Sequence, residues 1–113
     1  VTFGKPICEN QAIAFKLAEM ATQIDVARAM LYNTARMSDN GVPFSKEATM
    51  TKLFCSEMCV RVCDMGLQIM GGYGLCDDYQ VERMYRDAKL LTIGEGTSEI
   101  CRMVIGRHVL KEY

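Results

Sequence analysis

The chain has 113 residues, half of them hydrophobic, with 13 basic against 14 acidic side chains and a formal net charge of -1. That is one domain's length with apolar material for one core, and it suggests neither a basic nucleic-acid surface nor an acidic disordered tail. No apolar run approaches the ~20 residues that span a bilayer, and Val1-Thr2-Phe3-Gly4-Lys5 lacks the order of a signal peptide; a cytoplasmic location, or the mitochondrial matrix in a eukaryote, is expected.

Ile13, Leu17, Met20, Ile24, Ala27 and Leu31 alternate steps of four and three, which puts six apolar side chains on one face of a helix from about Glu9 to Arg36. Ser38-Asp39-Asn40-Gly41-Val42-Pro43 stops it, and so short a loop returns the chain antiparallel. Ser45 is the expected cap of a second long helix, where Thr51, Cys55, Met58, Val62, Met65 and Ile69 repeat the alternation. Gly71-Gly72-Tyr73-Gly74 ends it, because glycine is favoured where a chain leaves a helix through left-handed backbone. Asp77-Asp78 is placed to cap a short third helix that turns Val81, Met84, Tyr85 and Ala88 inward, with Glu82/Arg86 and Arg83/Asp87 as surface pairs. After Gly94-Glu95-Gly96, Thr97 or Ser98 caps a fourth helix carrying Ile100, Met103, Val104 and Leu110.

No strand pattern competes, so the expectation is all-α: residues 1–113 as one domain, an antiparallel up-and-down helical bundle. Neither long helix has a third partner of equal length. The bundle is therefore expected to lack its first helix, and that helix or a neighbouring subunit would complete the core.

Cys55, Cys59 and Cys63 recur every four residues within the second helix, so they cannot pair with one another without breaking it. Reduced thiols packing as small hydrophobes are expected, and the spacing without a nearby histidine matches no usual zinc site, so no metal is expected. His108, beside Arg107 and Lys111, suits the carboxyl end of the last helix. Glu95 stands between two glycines at the mouth of that helix, where a side chain without bulky neighbours can approach a ligand closely. The residues alone leave two readings open. One is a solvated glutamate favoured by the helix dipole by about 0.3 to 1 kcal/mol. The other is a carboxylate desolvated against a ligand and raised towards a general base's working range.

Five segments occur in one order: Phe3-Gly4, Gln11-Ala12, Gln68-Ile69-Met70-Gly71-Gly72-Tyr73-Gly74, Arg86-Asp87-Ala88-Lys89 and Glu95-Gly96-Thr97-Ser98. Together, over essentially the whole chain, they resemble the carboxyl-terminal helical domain of the acyl-CoA dehydrogenases. The match departs at Asn10, where many relatives have His, and at Tyr79, where many have Pro.

The resemblance implies an FAD-dependent enzyme of fatty acid β-oxidation type, converting acyl-CoA thioesters to trans-2-enoyl-CoA, of which this chain is one domain and inactive alone. It makes Glu95 the base that removes the α-proton and sets Gly96 against the substrate. Thr97, Ser98 and Glu99 resemble the trio near the flavin's phosphates or adenosine. Gln68, Ile69, Met70, Gly71 and Gly72, with Phe3, Asn10 and Gln11, resemble contacts to the FAD of an adjoining subunit. A homo-oligomer, dimer or tetramer, and an electron-transfer flavoprotein as acceptor are implied too. Structural roles stand beside these: Phe3 as core, Gln11 as a solvent-facing polar residue, Gly71-Gly72 as a helix stop. A second class of function also remains, a free-standing helical module that binds a partner helix or self-associates.

Overall fold

A computed structural model describes residues 1–112. Helix α1 spans Gln11–Asp39, α2 Ser45–Met70, α3 Val81–Leu90 and α4 Ser98–Glu112, with short 3-10 turns at Ile7–Glu9 and Gly71–Leu75. The fold is all-α, with a single antiparallel bridge, Thr2 to Lys5, among the described residues.

The first helix ends where Asn, Gly and Pro punctuation puts the stop. Gly41 turns left-handed at φ 66°, the Val42 N–H reaches back to the Met37 carbonyl at 2.9 Å, and the Gly41 N–H to Ser38 at 3.0 Å. This is the double bond pattern of a Schellman ending, and it satisfies carbonyls that the last turn would leave open. The chain then returns antiparallel along α1. Partners on α2 rise in number as those on α1 fall: the Thr34 and Thr51 hydroxyls meet at 2.8 Å, Cys55 faces the Ala27 carbonyl, and the Met20 side chain reaches Gly66.

Helix α2 is the spine. It packs against α1 on one side and against α3 and α4 on the other, while α1 packs on neither α3 nor α4. Helices α3 and α4 do not pack on each other; they follow one another along α2 as a broken rod, with residues 91–97 as the break. Val81 sits over Gly66, Arg102 bonds Glu57 at 2.6 Å, and Lys46 bonds Glu112, so this third rod runs antiparallel to α2 throughout. Three rods in a row bury two seams and leave both broad faces open. The body is accordingly elongated, 57 × 26 × 24 Å with a radius of gyration of 17.5 Å, against about 13 Å for a compact domain of this length.

That layout corrects several expectations. Only half of the α1 stripe is covered: Ile13, Met20 and Ala27 lie on α2, whereas Leu17, Ile24 and Leu31, one turn further round, stay exposed. Met84 and Tyr85 on α3, and Ile100, Met103 and Leu110 on α4, face outward; the buried positions there are Ala88, Ser98 and Cys101, with Val81 and Val104 half-buried. Ser45 is the first residue of α2 and Phe44 its cap, through a carbonyl that takes the Ala48 N–H at 2.8 Å. Asp77-Asp78 lies ahead of α3, which Gln80 caps by its backbone. The Glu82–Arg86 and Arg83–Asp87 pairs form as expected. The six cysteines are free thiols, and burial, with Cys59 adding in the same sense, pushes the Cys63 thiol up to about 11.

Candidate functional site

Two non-glycine residues among those described have left-handed backbone, Phe3 at φ 52° and Glu95 at φ 54°. Both were singled out from the sequence. A bulky or charged side chain in that region costs free energy, and such residues collect where the surrounding structure holds them for a purpose. They lie in different places.

Glu95 occupies the break between α3 and α4, exposed, followed by Gly96 at φ 94°. The loop closes on itself. Leu91, Thr92, Ile93 and Gly94 donate to the last carbonyls of α3, and the Ser98 N–H crosses to the Thr92 carbonyl at 3.0 Å. The N–H groups of Glu95, Gly96 and Thr97 have no protein acceptor among the described residues. Three successive donors are thus left open beside two left-handed residues. Thr97, one of two caps considered, is the one that caps α4: its hydroxyl accepts from the Ile100 N–H at 3.3 Å and its carbonyl from Cys101 at 2.9 Å.

Ser98 is buried and its Oγ has no hydrogen-bond partner among the described residues. The backbone N–H of Glu99 itself and the Thr97 hydroxyl hold the Glu99 carboxyl below the usual carboxylate range, against some opposing desolvation, with Arg102 and Lys89 adding to the lowering. Thr97, Ser98 and Glu99 line a cavity of about 390 Å³ whose other walls include Arg61 and Lys89. Arg61 and Lys89 share that cavity with the Glu57 and Glu99 carboxylates, and the Ser98, Glu99 and Ile100 N–H groups are already taken by Thr92, the Glu99 carboxyl and Thr97, so the two cations and the open Thr97 N–H are what this helix start offers a phosphate-bearing group such as FAD. Glu95 and Gly96 do not line that cavity.

The other group gathers at the opposite end of α2. Thr2 and Lys5 exchange backbone hydrogen bonds at 2.9 and 3.2 Å around Phe3-Gly4, both left-handed, which is the geometry of a two-residue primed hairpin turn. Phe3 is held at its tip, fully exposed, so its reading as core is wrong. A hollow of about 530 Å³ brings Phe3, Asn10 and Ile69 together. Asn10 caps α1 through its carbonyl and spends no side-chain hydrogen bond on it, which leaves the amide for a ligand. Gln11 is exposed outside the hollow. Gln68 and Gly71 line a separate recess of about 220 Å³, Met70 is half-buried, and Gly72 is exposed. Gly71, at φ 59°, is where α2 ends, so its helix-stop role is real whatever else it does.

Sequence reasoning passed over Arg61, Lys89 as a cavity residue, and Lys52, whose Nζ donates to the Gly96 carbonyl from α2. Lys89 had a signal, its place in Arg86-Asp87-Ala88-Lys89; the other two are ordinary polar positions of a helix.

The profile of the family described as acyl-CoA dehydrogenase, C-terminal domain, matches residues 1–110. The chain is 57% identical over 109 residues to the probable acyl-CoA dehydrogenase YngJ of Bacillus subtilis, covering 96% of this chain and 29% of that protein. It is 48% identical over 110 residues to the caffeyl-CoA reductase-Etf complex subunit CarC of Acetobacterium woodii, covering 97% and 29%. Among solved structures, butyryl-CoA dehydrogenase from Megasphaera elsdenii superposes with a TM-score of 0.95 at 44% identity, covering 97% of this chain and 29% of that one. The chain thus spans under a third of the length of these relatives.

Proposed function

The chain belongs to the acyl-CoA dehydrogenase family, as its carboxyl-terminal domain, and from that premise we propose that it supplies the proton-transferring base of an FAD-dependent enzyme acting on acyl-CoA thioesters. The observation that carries this is Glu95: a carboxylate on left-handed backbone, exposed, beside three open N–H donors. A loop glutamate with a merely solvated role needs none of that strain.

An α-proton of a thioester is weakly acidic, and a carboxylate removes it only if the negative charge that develops on the thioester oxygen is met by fixed donors. The Glu95 N–H is one such donor, and it is placed by the same residue that carries the base. Gly96 leaves no side chain between the loop and a substrate lying over it. Bound FAD would accept the β-hydrogen as hydride. Thr97, with Arg61 and Lys89, is placed to meet its phosphates, while Ser98 supports the loop with its N–H on the Thr92 carbonyl. Run in reverse, the protonated Glu95 carboxyl would return the α-proton to an enoyl-CoA while the β-carbon regains hydride from reduced flavin, a direction in keeping with a relative named as part of a reductase complex.

A second copy of the chain completes the picture. Lys52, beneath the Glu95 loop, and Gln68 lie sixteen residues apart on α2, or about 24 Å at helical rise. Phe3, Asn10, Ile69 and the Gln68–Gly72 segment are thus too distant to share Glu95's reacting centre, and they serve the FAD of an adjoining subunit in a dimer or tetramer. The exposed Leu17, Ile24 and Leu31 suit a protein that is assembled rather than solitary. An electron-transfer flavoprotein is the proposed acceptor, in keeping with a relative named as part of an Etf complex. No helix of the described residues is long and apolar enough to cross a membrane.

The test is Glu95→Gln in the full-length, flavin-loaded protein, mixed anaerobically with saturated acyl-CoAs of graded length. Wild type should bleach its flavin; the variant should bind acyl-CoA yet bleach about 100-fold more slowly or less, the scale of a lost general base. Unimpaired bleaching would remove Glu95 from the role, and acyl-CoA binding without any bleaching by wild type would favour the non-catalytic module.

A further inference from the structure

Lys52 extends from the second turn of α2 and donates its ammonium to the carbonyl of Gly96, the residue after Glu95. The cation is spent on a neutral acceptor. Nearby, Lys46 pairs with Glu112 and Arg102 with Glu57 across the α2–α4 seam, whereas Lys52 makes no ion pair among the described residues. Lys52 is half-buried, and the loop carbonyl it reaches takes a second, weaker donor from Cys101 at 3.9 Å. An ammonium partly withdrawn from water onto a backbone carbonyl, with the seam carboxylates Glu112 and Glu57 taken by other cations, favours the loop more than it favours the lysine.

The Gly96 carbonyl is a sensitive point to hold. It belongs to a glycine at φ 94°, next to a glutamate at φ 54°, so two consecutive left-handed residues depend on which way that peptide faces. In a trans peptide the carbonyl and the following N–H point in opposite directions. Drawing the Gly96 carbonyl down onto α2 therefore turns the Thr97 N–H away from the Lys52 side of the loop. A positive charge on the carbonyl also polarises the peptide and makes that N–H a better donor.

We propose that Lys52 is a positioning residue for Glu95: it clamps the Gly96–Thr97 peptide from beneath and so fixes the carboxylate and the open N–H donors beside it in reacting geometry. This rests on the reading of Glu95 as the base. Lys52 touches neither substrate nor flavin; it acts through the loop.

The experiment uses Lys52→Met, which keeps length and apolar stem but removes donor and charge, with Lys52→Gln as a second neutral variant should the first fold poorly, Lys52→Arg as the conservative replacement, and Glu95→Gln as control. All are made in the full-length flavin-loaded protein and mixed anaerobically with butyryl-CoA and with its α-deuterated form. The saturating rate of flavin reduction in the neutral variants should fall about tenfold or more, since a misplacement near 1 Å at a reacting group can cost far more than that. The half-saturating concentration should stay nearly constant, the α-deuterium isotope effect should grow as proton removal becomes limiting, and Lys52→Arg should recover most of the rate. A crystal structure of a neutral variant should show Glu95 displaced or out of left-handed backbone. The proposal is overturned if the neutral variants lose thermal stability while keeping saturating rate and isotope effect, if arginine restores nothing, or if Glu95 and Gly96 stay in place without the lysine. Should Glu95→Gln reduce its flavin as fast as wild type, the base itself is misassigned and the role of Lys52 falls with it.

Discussion

Gly96→Ala and Gly106→Ala make one chemical change on two backbones, and opposite outcomes are expected. A β-carbon at Gly96 would meet nothing closer than the Ile100 Cγ2 at 3.9 Å, ordinary van der Waals contact, so any cost there is conformational and not steric. Holding alanine at φ 94° costs about 1–3 kcal/mol. The lost freedom of the unfolded chain returns about 0.4–1 kcal/mol, leaving a net destabilisation of about 1.3 kcal/mol at mid-range. Gly106 lies inside α4 with open space around its β-carbon, and alanine there should gain about 0.8–1 kcal/mol of helix propensity. At roughly 4–8 °C per kcal/mol for a domain of this size, the two variants should bracket wild type by a readily measured interval in thermal unfolding. Flavin reduction adds an independent reading, because a distorted residue 96 displaces Glu95 while residue 106 lies three turns of α4 away. Equal stability of Gly96→Ala and wild type, or a shift of both variants in the same direction, would refute a loop held in left-handed backbone.

Two further outcomes are expected. Thr34 gives its one hydroxyl hydrogen to the Met30 carbonyl at 3.0 Å, so Thr51 must be the donor in the buried 2.8 Å pair between α1 and α2. Thr34→Val should then cost about 1–3 kcal/mol by stranding the Thr51 hydroxyl, and Thr51→Val nearer 1 kcal/mol, in urea unfolding; the reverse order would show that Thr51 bonds elsewhere. The Glu99 carboxyl lies below its ordinary value of 4.5 in the folded chain, held there by its own N–H and the Thr97 hydroxyl, so its contribution to stability is present above that pH and lost as pH falls through the lower folded value. Replacing Glu99 by Gln should flatten that part of an acid titration of stability, and an unchanged acid limb would count against the cap network.

What could be read in advance divides by range along the chain. The helices were legible because a step of three and four is a local property, and so was the end of α1, because Asn40-Gly41 followed by Pro43 supplies a left-handed turn and a stop within one helical turn. Which half of the α1 stripe would be covered was not. Ile13, Met20 and Ala27 have the same seven-residue spacing as Leu17, Ile24 and Leu31, and only the placing of α3 and α4 on the far side of α2 leaves the second set uncovered. Ser45 and Asp77-Asp78 misled because caps were sought among side chains, whereas the Phe44 and Gln80 carbonyls do the work. At the site the same division holds. Glu95 stood out since its two flanking glycines are adjacent in sequence, and the strain they accommodate is local. Lys52 lies forty-four residues before Gly96, at a polar position no different in pattern from its neighbours, and becomes meaningful only when α2 passes beneath the loop. Backbone freedom can thus be encoded beside the residue that uses it. The restraint that turns such freedom into one geometry has to arrive from another element, and at Glu95 the donor that α2 sends is Lys52.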